Sequence, residues 1–252
     1  MKIALCGKGG VGKSSVATLL TLVFLEDGYK VLAIDADPSP HLARLLEVEG
    51  EAIPLADMTD LLAERAEKVG PYYTLNPKIE DLPEKFTLNK DRLRLMVLGA
   101  IRTAGGGCAC PEQTVLRRLL TYMLLTAKEV VIVDMEAGVE HFGRATLTPI
   151  SCLLIVVQPF RGSIETGKQI IKLAEELKMK NIFVVGNKLS SESQENYLKN
   201  EFGDRYLFSI PLDEELEERE FKGIGLWNYR GKAFMEAKKL KRKIEELLSE
   251  TA

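Results

Sequence analysis

Three groups of residues in this sequence are spaced for chemistry. The first is Gly7-Lys8-Gly9-Gly10-Val11-Gly12-Lys13-Ser14, a G-x-x-x-x-G-K-[ST] run between an apolar stretch at residues 3–6 and a longer one at 15–25. Glycines there let the backbone curl so that successive N–H groups point at one phosphate, and a helix starting behind them adds its positive end. In such a phosphate-binding loop, Lys13 is spaced to reach the outer phosphates and the Ser14 hydroxyl to ligate Mg²⁺. The second group is carboxylates, each closing an apolar run: Asp35 and Asp37 after residues 29–34, and Asp134 after residues 129–133. Behind a phosphate loop, Asp35 and Asp37 suit a Mg²⁺- and water-positioning pair, and Asp134 suits an acid that holds Mg²⁺ directly or through water. The third is Cys108-Ala109-Cys110-Pro111, preceded by Gly105-Gly106-Gly107. Proline is favoured at the first helical position, so Cys110 falls at a helix N-terminus, where the dipole favours thiolate, the metal-binding form.

These residues need a scaffold, and the apolar pattern supplies one. Strands are predicted near residues 3–6, 29–34, 92–99, 129–134, 152–157, 181–186 and 206–210. Helices are predicted at 15–25, 57–68, 111 to about 126, 162–178 and 231–249, the last with Ala237, Leu240, Ile244, Leu247 and Leu248 on one side and lysines on the other. About seven strands alternating with helices imply an α/β fold, a mostly parallel central sheet with helices on both faces in three layers. Ligands bind such sheets at the carboxyl ends of the strands, where all the carboxylates above fall. Residues 50–89 are the least readable part: beyond the helix at 57–68, Gly70-Pro71, Asn76-Pro77 and Leu82-Pro83 punctuate a loop region. No repeat, low-complexity tract or linker divides the chain, so residues 1–252 are expected to form one domain.

Composition narrows the classes. The 252 residues are 46% hydrophobic and 28% charged, ordinary for a water-soluble domain with a sizeable core. A net charge of −3 argues against a nucleic-acid partner held by bulk electrostatics. Four cysteines without a framework pattern point to a reducing compartment. The N-terminal apolar run stops at Cys6, so no signal peptide is expected, and the uncharged apolar stretch at 14–25 is too short to span a bilayer. A cytoplasmic protein without stable membrane association is expected.

The loop with a lysine after its first glycine resembles the deviant Walker A motif of the MinD/ParA/nitrogenase iron protein class of P-loop ATPases. Asp35-Ala36-Asp37-Pro38, Asp134-x-x-Ala137-Gly138, Asn187-Lys188 and Ile210-Pro211-Leu212-Asp213 match that class in order and spacing, nearly end to end. Within it, Cys108-Ala109-Cys110-Pro111 and residues 134–141 are similar to the CooC group, maturation ATPases of nickel carbon monoxide dehydrogenase, and to the related acetyl-CoA synthase accessory ATPases. One departure is Pro40-His41, where relatives often carry an asparagine. The resemblance implies a P-loop NTPase fold and hydrolysis of ATP to ADP with Mg²⁺. It implies a nucleotide site of Gly7, Lys8, Gly9, Gly10, Val11, Gly12, Lys13, Ser14, Ser15, Asp35, Gly138, Asn187, Lys188 and Pro211. Lys8 would reach across a homodimer to the partner's nucleotide, Lys13 and Ser14 would bind phosphate and Mg²⁺, Asp134 would serve the Mg²⁺, and Asp37 would orient the attacking water. Asp35 would support the P-loop, Asn187 would read the adenine beside Pro211, and Cys108 and Cys110 would carry a transferred metal to a nickel-enzyme client.

The cysteine pair also points to a shared metal without the family. Two thiolates one residue apart cannot complete a four-coordinate site. Cys6 and Cys152 read as small buried hydrophobes within strands, and nothing in the sequence brings His41 or His141 near the pair. A second copy of the chain supplies the missing pair by two-fold symmetry. A tetrahedral frame would suit Zn²⁺ and a planar one Ni²⁺. Two alternatives remain: an iron–sulfur carrier of the Mrp type, which typically has Cys-x-x-Cys late in the chain, and a MinD/ParA-like positioning ATPase. The second needs an amphipathic or basic tail, and here Lys238, Lys239, Lys241 and Lys243 are followed by Glu245, Glu246 and Glu250.

Overall fold

The computed structural model describes residues 1–66, 68–69, 72–73, 77–100, 111–136 and 148–250. The chain opens with β1 (Lys2–Cys6), α1 (Lys13–Glu26), β2 (Val31–Ala36) and the one-turn α2 (Leu42–Leu45). A 3-10 turn at Leu55–Asp57 leads to α3 (Thr59–Arg65), the short strands β3 (Lys68–Val69) and β4 (Tyr72–Tyr73), α4 (Leu82–Phe86), β5 (Thr87–Lys90) and β6 (Leu93–Val97). Then come α5 (Pro111–Thr126), β7 (Val130–Met135), β8 (Cys152–Val157), α6 (Arg161–Glu176) and β9 (Ile182–Leu189). The chain closes with α7 (Glu192–Phe202), β10 (Tyr206–Pro211), α8 (Glu214–Phe221) and α9 (Lys232–Glu250).

Eight strands form the main sheet in the order β10-β9-β8-β1-β7-β2-β6-β5. Seven run parallel, as the apolar runs predict, and β5 pairs antiparallel with β6 at the edge. That eighth strand escapes the sequence pattern because Thr-Leu-Asn-Lys buries only its threonine, and an edge strand needs little apolar content. Helices α7 and α8 escape it for a related reason. Each has a mostly polar surface, with Leu198 and Phe202 buried in the first and Leu216 in the second.

Alternate side chains of the central strands feed two separate cores, one on each face of the sheet. Ile3 and Leu5 of β1 join one core, and Ala4 and Cys6 the other. Both faces are buried, so these strands read as continuous apolar runs. On the first face every residue of α1 from Ser15 to Leu25 is buried, because α9 covers it with Ala233, Phe234, Ala237, Leu240 and Ile244. Each large side chain so buried contributes about 1.5–3 kcal/mol. Lys241 breaks the expected polar side of α9. It is 5% exposed, and its ammonium lies between Asp27 at 2.8 Å and Glu245 at 2.9 Å, over the rings of Phe24 and Tyr29. The other tail lysines are also engaged within the chain: Lys238 with Glu26, Lys239 with Glu236, and Lys243 with the Leu207 carbonyl. Among the described residues no helix is long and apolar enough to cross a membrane.

Candidate active site

The segments that follow β1 and β2 and the end of β9 line a cavity of about 480 Å³. Gly9, Gly10, Gly12, Lys13, Ser14 and Ser15 line it from the loop, Asp37, Ser39, His41, Arg44 and Leu45 from the β2–α2 side, and Lys188 and Glu220 from the far wall. A larger cavity of about 1220 Å³ opens at the amino ends of the strands, around Met1, Val31 and Val130. Its polar groups serve the fold itself, for example Arg94 with Glu129 at 2.8 Å and Asn181 with the Ser151 carbonyl at 2.9 Å. The smaller cavity carries the chemistry.

The loop conformation depends on glycine. Gly12 has φ +89°, and a Cβ there would lie 2.4 Å from Asn187 Nδ2. Gly7 has φ +147°, and its Cβ would lie 2.3 Å from the Val156 carbonyl oxygen of β8. The loop is thus wedged between two strand ends. Asn187 completes the wedge: it is 2% exposed and its Nδ2 donates to the Val11 carbonyl at 2.8 Å. Lys13, 7% exposed, points back across the loop to Asp37 Oδ2 at 3.7 Å, so the phosphate lysine and the proposed water-orienting acid face one space.

Asp35 and Asp134 lie side by side in the β2–β7 register, and both are fully buried. Asp35 is saturated, accepting the N–H groups of Asp37, His41 and Leu42 at 3.3, 2.8 and 2.9 Å. It therefore supports the turn after β2, and it stands behind the cavity wall. Burial raises its pKa against those hydrogen bonds. Asp134 is the opposite case: among the described residues neither carboxylate oxygen has a partner at full hydrogen-bond geometry, although the Ser14 hydroxyl lies nearby. Burial first, and the neighbouring Asp35 second, push its pKa up to about 7, although Ser14 and Lys13 pull the other way. An orphaned buried carboxylate beside Ser14 fits a divalent cation, which would replace the missing partners and restore ionisation.

Lys8 is exposed and leans over the first turn of α6, where a Cβ on Gly162 would lie 2.6 Å from its ammonium. Pro211 ends β10 in register with Leu189, two residues past Asn187, and stands outside the cavity lining. Cys108, Cys110, Gly138 and His141 lie outside the described residues, but α5 does begin at Pro111. Among the described residues no cluster of three or more His, Cys, Asp or Glu side chains is placed to hold a metal ion. Cys6 and Cys152 are buried in β1 and β8.

Sequence reasoning missed the far wall. Ser15 Oγ donates to Glu220 of α8, and Lys188 pairs with Glu217 at 3.3 Å and Glu220 at 3.8 Å. The helix itself had a signal, since Asp213 followed by Glu214 and Glu215 marks an N-terminus. Which face of α8 meets the loop depends on Asp213, whose carboxylate caps α8 at Leu216 N–H (3.2 Å) and also accepts from Tyr229 Oη and the Ala233 N–H (2.8 Å) at the start of α9.

Comparison with known proteins agrees with this geometry. Residues 3–226 match the CobQ/CobB/MinD/ParA nucleotide binding domain. The chain is 42% identical to an uncharacterized ATP-binding protein of Methanocaldococcus jannaschii, covering 95% of this chain and 96% of that one. It is 38% identical to the carbon monoxide dehydrogenase accessory protein CooC of Rhodospirillum rubrum, covering 90% of each. Among solved structures, MinD of the Aquifex aeolicus MinC:MinD complex superposes with a TM-score of 0.70 at 21% identity, covering 97% of this chain and 96% of that one. Pyrococcus horikoshii MinD with Mg-ADP gives 0.67 at 20% identity, covering 100% and 99%. A glycine loop wedged between strand ends, a lysine facing an aspartate and an unpartnered acid at the next strand end are what such a domain requires, and the chain belongs to the CobQ/CobB/MinD/ParA family of P-loop ATPases.

Proposed function

We propose that the chain is a homodimeric metallochaperone ATPase that carries nickel to an enzyme of the carbon monoxide dehydrogenase or acetyl-CoA synthase type. The observation that carries this reading is the run Cys108-x-Cys110 immediately before α5 in a chain similar to CooC over nine-tenths of its length. A helix start favours thiolate at Cys110, and two copies of the pair about a two-fold axis make a four-sulfur site for Ni²⁺ or Zn²⁺ as cargo.

In the nucleotide site, the loop N–H groups and Lys13 would bind the phosphates, Ser14 and Asp134 would hold Mg²⁺, and Asp37 would orient the attacking water. Bound Mg²⁺ supplies charge neutralisation at the outer phosphates. Asn187 locks the loop through the Val11 carbonyl, and Lys188 beside it lines the cavity. Lys8 is exposed at the loop mouth over Gly162 in the first turn of α6, which suits a surface that meets a second copy. ATP and metal then each favour one subunit arrangement, so each changes the other's affinity by the same factor.

The test is metal stoichiometry on the purified full chain, with size by light scattering with and without ATP. One Ni²⁺ or Zn²⁺ per dimer is expected, lost in Cys108→Ser and Cys110→Ser. Unchanged stoichiometry in those variants defeats the metal-carrying reading. Visible absorption of an iron–sulfur cluster after anaerobic reconstitution replaces nickel with that cargo.

A further inference from the structure

The nucleotide cavity and the approach to the Cys-x-Cys segment meet at one buried residue. Asp35, the penultimate residue of β2, has 0% exposure. Its carboxylate gathers the N–H groups of Asp37, His41 and Leu42, and so fixes the turn that sets Asp37, Ser39 and His41 on the cavity wall. Its main-chain carbonyl accepts the N–H groups of Leu98 at 2.8 Å and Gly99 at 3.2 Å. Those two residues directly follow β6 and lead, through residue 100, into residues 101–110.

The receiving end is held tightly. Gly99 has φ +72°, and a Cβ there would lie 2.9 Å from Pro54 Cβ and 3.1 Å from Ala56 Cβ. The Ala56 N–H donates back to the Leu98 carbonyl at 2.9 Å. A displaced turn therefore has two outcomes at Asp35. Either the residue moves as a unit and carries its carbonyl with it, or a buried hydrogen bond breaks and leaves a polar group unpaired away from water, which is costly. Side chain and carbonyl share one Cα, so the first outcome costs less.

We infer that Asp35 is a positioning residue that relays the nucleotide state of the Asp37–His41 turn to the Leu98–Gly99 step ahead of the Cys-x-Cys segment. That the step leads to a metal-carrying pair rests on the proposed function; the relay to Leu98 and Gly99 does not.

Backbone hydrogen exchange at Leu98 and Gly99 reads the relay in the full chain, saturated in turn with Mg·ADP and with a non-hydrolysable Mg·ATP analogue. The wild type should differ about five-fold or more between the two nucleotides, the scale of ordinary coupling. Asp35→Asn replaces one acceptor oxygen by a donor, and the difference should fall below about two-fold. Gly99→Ala interrupts the same path at its far end and should flatten the response at Leu98, so the inference stays testable if Asp35→Asn fails to fold. Equal exchange with both nucleotides in the wild type, or an undiminished difference in the folded variants, overturns the relay. Nickel affinity measured alongside separates the two ideas: exchange that responds through Asp35 while nickel affinity ignores nucleotide supports the relay and overturns the coupling of ATP to metal in the proposed function.

Discussion

Binding of Mg·nucleotide should release a proton from Asp134, in an amount fixed by pH. In the free chain the carboxylate is buried next to Asp35 with no hydrogen-bond partner among the described residues, and burial and that neighbour push its pKa up to about 7. It is then about nine-tenths protonated at pH 6, half at pH 7 and about one-tenth at pH 8. A cation beside it needs the ionised form, so binding expels about 0.9, 0.5 and 0.1 proton at those three values. The same linkage makes apparent Mg·nucleotide affinity about ten-fold weaker at pH 6 than at pH 8. The assay is isothermal titration calorimetry in two buffers of different ionisation enthalpy, whose difference counts protons directly. Nucleotide phosphates contribute protons of their own, so the quantity to read is wild type minus Asp134→Asn. If that difference at pH 6 stays below about 0.1 proton, Asp134 is already ionised in the free chain and the argument from its burial is wrong.

Other substitutions test neighbouring parts of the argument. Gly12→Ala puts a Cβ at φ +89° and 2.4 Å from Asn187 Nδ2, so fluorescent-nucleotide titration should show affinity down by at least about ten-fold. Gly7→Ala drives a Cβ against the Val156 carbonyl, which cannot turn away within the sheet. A loss of about 2 kcal/mol or more is expected, a melting-temperature fall of roughly 4–8 °C by calorimetry. Tyr229→Phe removes one donor from Asp213 and should cost about 1–3 kcal/mol in urea unfolding. Asp213 itself is pushed up by burial, but the Tyr229 hydroxyl and the Ala233 and Leu216 N–H groups hold its pKa below the usual 3.8. A depressed carboxylate adds stability above its unfolded pKa and loses it as pH falls through the folded value, so the Tyr229→Phe difference should shrink below about pH 4.

Most of the parallel sheet was legible because its strands are buried on both faces, so runs such as residues 152–157 and 130–133 are apolar throughout and read alone. Local rules also placed the start of α5 at Pro111 and the loop before α1, since proline at N1 and glycines at positive φ are demands of the backbone itself. Elements whose apolar content is thin were not legible. The edge strand β5 and the polar helices α7 and α8 exist because neighbours already in place give them a hydrogen-bonding edge or a few buried contacts.

The sequence by itself therefore determined the phosphate loop, the three acids at strand ends and the spacing of the cysteine pair, because each is a short-range pattern of residue type. Only the tertiary structure decided what each acid does. Asp35 and Asp134 look alike in sequence, yet one spends its carboxylate on three N–H groups and the other is left bare beside Ser14 and Lys13. The three N–H groups reach Asp35 because the turn just after β2 folds back on it, while desolvation comes from strands and helices distant in the chain, and together they set whether a buried carboxylate props a turn or waits for a cation. The same holds for Glu220, brought 205 residues along the chain to Ser15 by a helix that Asp213 anchors at both ends of its turn.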